Sequence, residues 1–390
     1  MSLLAPRHIS NVPQEIWLEM FQYFAPSPRQ APLPTDVRSP VVREGVAWTS
    51  TSPGTLYNLS QVCALFNKLA MRVARRLLVV GPSHDLDFWV QALAKDGSGD
   101  VVKRVEVHNL RSGLLQSLIR GLPNVTDLYV RHTNAAITNI PRRIGTHPLG
   151  FQSLTDVTLS GLSAFATIQI LFNLSTVAWS LKRLWLVYAL RGDPTPTSGA
   201  ARCTFPSLEW LIVGAPGRRF QPQRAGEAMK TILLVFADRF DFPEITRFDN
   251  LDVLGYQAPF FARFGRQLEV IAITSEDYDL APNANFSGHC PALKTIIISL
   301  VHRDFIIANL DLHQSVKRVI LRVHEFLPWQ GEEEGQALLR RALYQVSRRW
   351  LSFLETIVIS GITDWGHSAG WFCRRSRLVQ DEGIQVVEIV

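Results

Sequence analysis

Tyr129, Arg131, Arg183, Trp185 and Trp210 are the side chains with most to offer a partner. Aromatic rings and guanidiniums dominate the energetics of protein interfaces. The residue types that carry covalent chemistry are scattered by comparison. Cys63, Cys203, Cys290 and Cys373 lie far apart in the chain, so neither a metal knuckle nor a disulfide framework is expected. They read as reduced thiols in a reducing compartment. The histidines are dispersed, and no pair has the spacing of a metal-binding helix. His108, His132 and His324 fall at predicted strand ends and read as surface or loop residues. The chain has no phosphate loop ending in Gly-Lys-Ser/Thr and no Gly-x-Ser-x-Gly elbow. No catalytic, cofactor-binding or metal-binding residue is therefore predicted, and recognition is the expected activity.

Charge and composition narrow the partner class. Hydrophobic residues make up 47% and charged residues 19%, which is the balance of a folded chain and excludes global disorder. A net charge of +6 over 390 residues is too small an excess to point to nucleic acid. The basic run "GAPGRRFQPQR" from Gly214 reads as a solvated connector, because its clustering with aromatics is thin. "WFCRRSR" from Trp371 has the composition of a nuclear signal, but such short basic runs are common by chance. The opening "MSLLAPRHIS" holds no signal-peptide core. Apolar stretches such as "TILLVFA" from Thr231 fall far short of the ~20 residues that cross a bilayer. A soluble protein of the cytoplasm, the nucleus or both is expected, with no membrane partner.

The elements that must position the five side chains come from a repeat. Apolar residues recur at n, n+3 and n+5. Copies are Val102, Val105, Val107; Val125, Leu128, Val130; Leu154, Val157, Leu159; Leu181, Leu184, Leu186; and Leu208, Leu211, Val213. They continue as Leu268, Ile271, Ile273; Leu293, Ile296, Ile298; Val316, Val319, Leu321; Leu354, Ile357, Ile359; and a partial Ile384, Val387, Ile389. One more copy lies between Ile245 and Tyr256 in a register that the sequence leaves ambiguous. Most copies follow one another at 23 to 30 residues, and "LPNV", "FPSL" and "CPAL" supply a turn before the strand. One unit cannot bury its own apolar face, so about eleven must stack into a continuous core and one parallel sheet some 50 Å long. The pattern resembles degenerate leucine-rich repeats. The longer gaps after Leu208 and Val316 are expected to hold extra helices, one of them "EEEGQALLRRALYQVSRRW" from Glu332.

Alternation in a strand sends n, n+3 and n+5 inward and n+2, n+4 and n+6 to the other, open face. The n+2 column then includes Arg104, Asp127, Asp156, Arg183, Trp210, Thr295 and Arg318. The n+4 column holds Glu106, Tyr129, Thr158, Trp185, Ile212, Ala272, Ile297, Ile320 and Val358, and Arg131 stands at n+6. Tyr129, Arg131, Arg183, Trp185 and Trp210 are the predicted target-binding patch. Burial of those aromatics by the chain itself is the competing reading.

The front of the chain is different. In "SNVPQEIWLEMFQYF", from Ser10, Pro13 suits the first turn of a helix and Glu15 its positive end. Ile16, Trp17, Met20, Phe21 and Phe24 form one wide apolar face. A Pro-, Ser- and Thr-rich insertion at about 25–55 follows, and a second helical pattern runs through "LSQVCALFNKLAMRVARRLLVV", ending in "RLLVV" as a short strand or extended exit. Val62, Phe66, Leu69, Ala70 and Val73 are expected on one face of that helix.

The two front blocks together resemble an F-box of the fungal type. The resemblance rests on Val12-Pro13, Glu15, Met20-Phe21, Val62-Cys63 and Phe66, against a family pattern of Leu-Pro, a following Glu, Ile-Phe, Val-Cys and an aromatic. Val12 departs mildly from the family's Leu, and the long insertion replaces its short turn. The resemblance implies a substrate-recognition subunit of an SCF-type cullin–RING ubiquitin ligase. Val12, Pro13, Ile16, Phe21, Val62, Cys63 and Phe66 would contact the ligase's small adaptor subunit, and the repeats would hold an unknown target protein. The expected class is α/β: a helical F-box module over 1–80, then an irregular leucine-rich-repeat-like solenoid over 81–390 with one long parallel sheet. A hairpin that only caps its neighbour, a protein-binding scaffold outside any ligase, and a less favoured RNA-binding solenoid stay open.

Overall fold

The computed structural model describes residues 13, 16–17, 20, 62–66, 69, 76–80, 98–108, 121–131, 153–176, 178–190, 202–214, 222–250, 258–274, 286–300, 314–323, 337, 339, 341–344, 346, 353–360, 380 and 383–389. The proline-rich insertion, "WFCRRSR", His132, His324, Cys373 and most of the basic run after Gly214 lie outside these residues.

The chain is mixed α/β, and its described residues build one long parallel sheet of twelve strands. Its first strands are β1 (Leu77–Val80), β2 (Arg104–His108), β3 (Asp127–Arg131), β4 (Asp156–Ser163) and β5 (Arg183–Leu190). A short β6 (Cys203–Thr204) pairs outside this sheet with β8 (Phe240–Asp241). The long sheet continues with β7 (Trp210–Val213), β9 (Arg247–Asn250), β10 (Val270–Thr274), β11 (Thr295–Leu300), β12 (Arg318–Val323), β13 (Thr356–Ser360) and β14 (Gln385–Ile389). Strands neighbour one another in chain order, so each return brings the backbone back one strand further on.

A repeated backbone device sets the entry to each strand. The n+1 carbonyl accepts two N–H groups from the next turn: Lys182 O takes those of Glu209 and Trp210, and Glu209 O takes those of Thr246 and Arg247. The same pair of bonds recurs from Arg76 O to Lys317 O. Before many of the strands the N–H of residue n closes a turn on the carbonyl of n−3, as in Leu208 to Phe205, Ile245 to Phe242 and Leu293 to Cys290. The "LPNV", "FPSL" and "CPAL" signatures are these turns: Leu122, Phe205 and Cys290 are buried while the following prolines are exposed. Where n−3 is Gly265, a Cβ would meet the His289 carbonyl oxygen at 2.5 Å, so only glycine lets the next turn come this close.

The inward positions form the core. Every predicted n, n+3 and n+5 residue from Val102 to Ile359 is buried. Returns over this face include α1 (Ala164–Ser175), α2 (Pro222–Arg239), α3 (Ala258–Phe264) and the short α4 (Phe286–His289). Ser163 caps α1, its Oγ accepting from the Ala166 N–H at 3.1 Å. Apolar residues on nearly every side of α1 bury it. Pro222 opens α2, where its missing N–H is not needed. Ala228, Met229, Ile232, Leu233 and Phe236 turn its buried face to the core. A run of phenylalanines links the helices: Phe236 meets Phe242 edge-on at 5.4 Å, Phe242 packs on Phe264 at 5.0 Å, and Phe264 on Phe260 at 5.0 Å. Of the helical pattern after Glu332, the described residues 337, 339, 341–344 and 346 are helical, with Leu339, Ala342, Leu343 and Val346 buried and Arg341 and Tyr344 exposed.

Three details refine or correct the expectation. Residues 77–80, expected as a short strand or extended exit, form β1, the first strand of the sheet, paired with β2. The ambiguous copy is resolved as Ile245, Phe248 and Asn250, all buried, since "FPEI" repeats the turn signature of "FPSL". The last copy is displaced by one residue: Val386, and not Val387, lies beside Ile357. Gly383 enters that strand at φ 75°, and β14 has one neighbour in the sheet, so a single-residue shift meets no second strand to correct it.

Candidate functional site

Parallel register brings one n+2 residue from each of six consecutive sheet strands into a row. In order these are Arg104, Asp127, Asp156, Arg183, Trp210 and Arg247. Their Cα atoms are register partners on strands spaced about 4.8 Å apart, so long side chains reach both neighbours. The Arg183 Nε–H donates to Asp156 Oδ1. Arg247 donates from Nε and Nη2 to the two oxygens of Asp249, each at 2.8 Å. Between these ion pairs stands Trp210. The Arg183 guanidinium lies 5.5 Å and the Arg247 guanidinium 3.9 Å from its ring centroid, one from each flanking strand. The indole N–H of Trp210 is buried and has no acceptor among the described residues.

The row is charge-compensated. Asp127 and Asp156 accept hydrogen bonds from the hydroxyls of their preceding threonines, Thr126 at 2.6 Å and Thr155 at 2.9 Å. Burial raises the Asp127 carboxyl to about 6 and lowers the Arg104 guanidinium to about 9. In both cases loss of hydration of the charged form outweighs the neighbouring opposite charges. Burial also lowers Arg322, which lies within electrostatic reach of Asp249 and Arg247. The Cys290 thiol is pushed up to about 12 by its apolar surroundings, which leaves it protonated and unreactive.

The predicted patch is partly assembled. Arg183 and Trp210 are half-buried and in contact. Trp185 is half-buried, but its indole N–H donates to the Gly214 carbonyl at 2.9 Å, so it staples the end of β7 to β5. Tyr129 is half-buried two strands away in the n+4 row. Arg131 ends β3 beside His108 and Ser160, and its side chain lies outside the described residues.

The open face is less open than alternation predicts. Glu106, Ile212, Ala272, Ile297 and Val358 at n+4 are buried, as are Arg104 and Asp127 at n+2. In the middle of the sheet the run Asp156, Arg183, Trp210 and Arg247 is half-buried and accessible, beside the half-buried Thr158, Trp185 and Val270. Arg247 and Asp249 were missed because the register of their copy was ambiguous; the "FPEI" turn was the signal that would have set it.

At the front, Pro13 is exposed, Ile16 is 48% and Met20 47% exposed, and Val62 is 57% exposed. Val62 therefore does not share the inward face of its block. Phe66 is only 7% exposed. Its ring packs 4.8 Å from that of Trp17 and joins the two blocks, so it belongs to the module's inner seam and offers little surface to a partner. Cys63 is half-buried, its Sγ accepting from the Phe66 N–H at 3.5 Å. Val12 and Phe21 lie outside the described residues.

The fold defines a class: an open parallel-sheet α/β protein whose successive strands follow chain order. Comparison with models of known protein families finds none that matches the chain, and comparison with curated proteins finds no relative. Among the described residues no helix is long and apolar enough to cross a membrane.

Proposed function

We propose that this protein is a substrate-recognition subunit of an SCF-type cullin–RING ubiquitin ligase: an F-box module followed by a leucine-rich-repeat-like solenoid. The ligase's small adaptor docks on the front module, and a target protein docks on the accessible middle of the sheet. Covalent chemistry belongs to other subunits, and this chain acts by holding its target near them. The observation that carries the reading is the exposure of Pro13, Ile16, Met20 and Val62 while Trp17 and Phe66 are packed together. The inner contact holds the two blocks together, and the apolar side chains left outside are the kind of surface that a partner covers. Met20 adds to the contact set drawn from the family resemblance.

The pairing of Arg183 with Asp156 and of Arg247 with Asp249 argues against an RNA-binding surface here, because phosphates need uncompensated cations. Co-purification of the full chain with the adaptor tests the ligase reading. Wild type should capture it, and Ile16→Asp with Val62→Asp should lower capture by at least about tenfold, since a charge buried in an apolar interface costs several kcal/mol. Equal capture by both proteins, or none by either, leaves the scaffold reading in its place.

A further inference from the structure

We infer that the Asp156–Arg183–Trp210–Arg247–Asp249 cluster selects an uncharged, extended segment of its partner protein, and that acidic or phosphorylated segments are rejected. The inference rests on the target-binding role proposed for this face and specifies its chemistry.

Three observations carry it. First, each guanidinium already has its own carboxylate, so the five side chains hold two positive and two negative charges, and burial disfavours the charge of Arg322, the further cation near Asp249. A phosphate or glutamate arriving here gains little from Arg183 or Arg247 and meets Asp156 and Asp249 beside them. Second, the arginines keep unspent donors. A guanidinium has five N–H groups in a fixed fork. Arg183 commits its Nε–H to Asp156, and Arg247 commits Nε and Nη2 to Asp249. Side chains of both are about a quarter exposed, 26% and 27%, so remaining donors stand where a partner can reach them. Backbone carbonyls of an extended segment, or the amide oxygens of Asn and Gln, are neutral groups that accept from them. Third, the buried Trp210 N–H lacks an acceptor among the described residues. An unmet buried donor costs about 1–3 kcal/mol, and a carbonyl is the uncharged group able to offset that cost when the segment settles on the ring.

The geometry also fixes a direction of approach. Arg183, Trp210 and Arg247 sit on three neighbouring strands at one register level. A segment that touches all three must run across the strands, along the row, and not parallel to any one of them.

Selection of a displayed library of random short peptides by the full-length protein tests this without knowledge of the natural target. Enriched peptides should carry no net charge and be rich in Asn, Gln and small apolar residues. Binding should change by less than about threefold between about 0.05 and 0.3 M salt, because no net charge is screened. Arg183→Gln should lower binding at least about tenfold, the loss expected when charge-assisted hydrogen bonds are removed. Asp156→Asn is the variant that a purely structural role would leave silent. It frees the Arg183 charge, so selection should move toward acidic and phosphoserine-containing peptides. Circular dichroism and thermal melting of both variants establish that they are folded. Enrichment of acidic, phosphorylated or basic peptides by wild type overturns the inference, as does steep salt dependence, unchanged selection by Asp156→Asn, or no enrichment at all. Adaptor capture is read separately on the same protein. Capture without peptide selection defeats this inference and leaves the ligase reading standing; selection without capture does the reverse.

Discussion

The Arg247 guanidinium lies 3.9 Å from the centroid of the Trp210 ring while its Nε–Nη2 edge holds both oxygens of Asp249. One side chain thus satisfies a cation–π contact and a buried carboxylate together. The Asp249 side chain is 1% exposed, so its charge is tolerable only with a cation against it.

Arg247→Ala should therefore be costly. Removing one member of a buried pair destabilises by about 3–5 kcal/mol. The nearby Arg322 also attracts Asp249, which sets the expectation at the lower end. Replacing both residues, Arg247→Met with Asp249→Leu, should restore most of the loss, because no buried charge is then left alone. Urea denaturation of the three proteins checks this; a single substitution costing under about 1 kcal/mol would show that Asp249 is not confined as described.

The exposed pair Lys182–Glu209, at 2.9 Å, should behave in the opposite way. Both side chains are more than half exposed, and such pairs contribute about 0–1 kcal/mol. Lys182→Ala should shift the urea midpoint slightly, and the shift should vanish in high salt. A salt-independent loss of the size expected for Arg247→Ala would contradict the solvent exposure of this pair.

Asp127 should make stability depend on pH. Burial raises its carboxyl to about 6 in the folded chain, against the partial opposition of Thr126 and Arg104. A raised group binds its proton more tightly when folded, so its contribution is fully present below about pH 4 and is lost as pH rises through about 6. Asp127→Asn cannot ionise and should lack that slope. The difference in unfolding free energy between wild type and variant should change by up to about 3 kcal/mol between those limits. Denaturation at a series of pH values measures it, and a constant difference would refute the assignment.

Gly265→Ala probes the close stacking of turns. The added methyl would lie 2.5 Å from the His289 carbonyl oxygen and 2.9 Å from Cys290 Sγ, and both neighbours belong to the next strand's entry turn. Overpacking of this kind costs about 1–3 kcal/mol. Gly99→Ala, with its Cβ 2.5 Å from the Gly121 carbonyl oxygen, should behave alike. A thermal midpoint unchanged in both variants would mean that the turns separate freely.

The alternation that made the repeat visible is local chemistry. A strand puts n, n+3 and n+5 on one side wherever it forms, so Leu184, Leu211 and Ile271 could be placed in the core from spacing alone, and they are buried. The turn signatures were equally local, since Pro206 and Pro291 mark their turns by composition. The exposure of Ile16 could not be read this way, because its apolar face looks the same in sequence whether the chain covers it or not. The site was legible in part: spacing alone put Asp156, Arg183 and Trp210 in one column, and the register of the assembled strands adds Arg247 to it. Helix α2 occupies the return between Trp210 and Arg247, and no periodic rule crosses a gap of that kind. Which side chains face the core is a property of each short segment. Which charges stand beside one another depends on cross-strand hydrogen bonds between distant segments, and those exist only once the sheet has assembled.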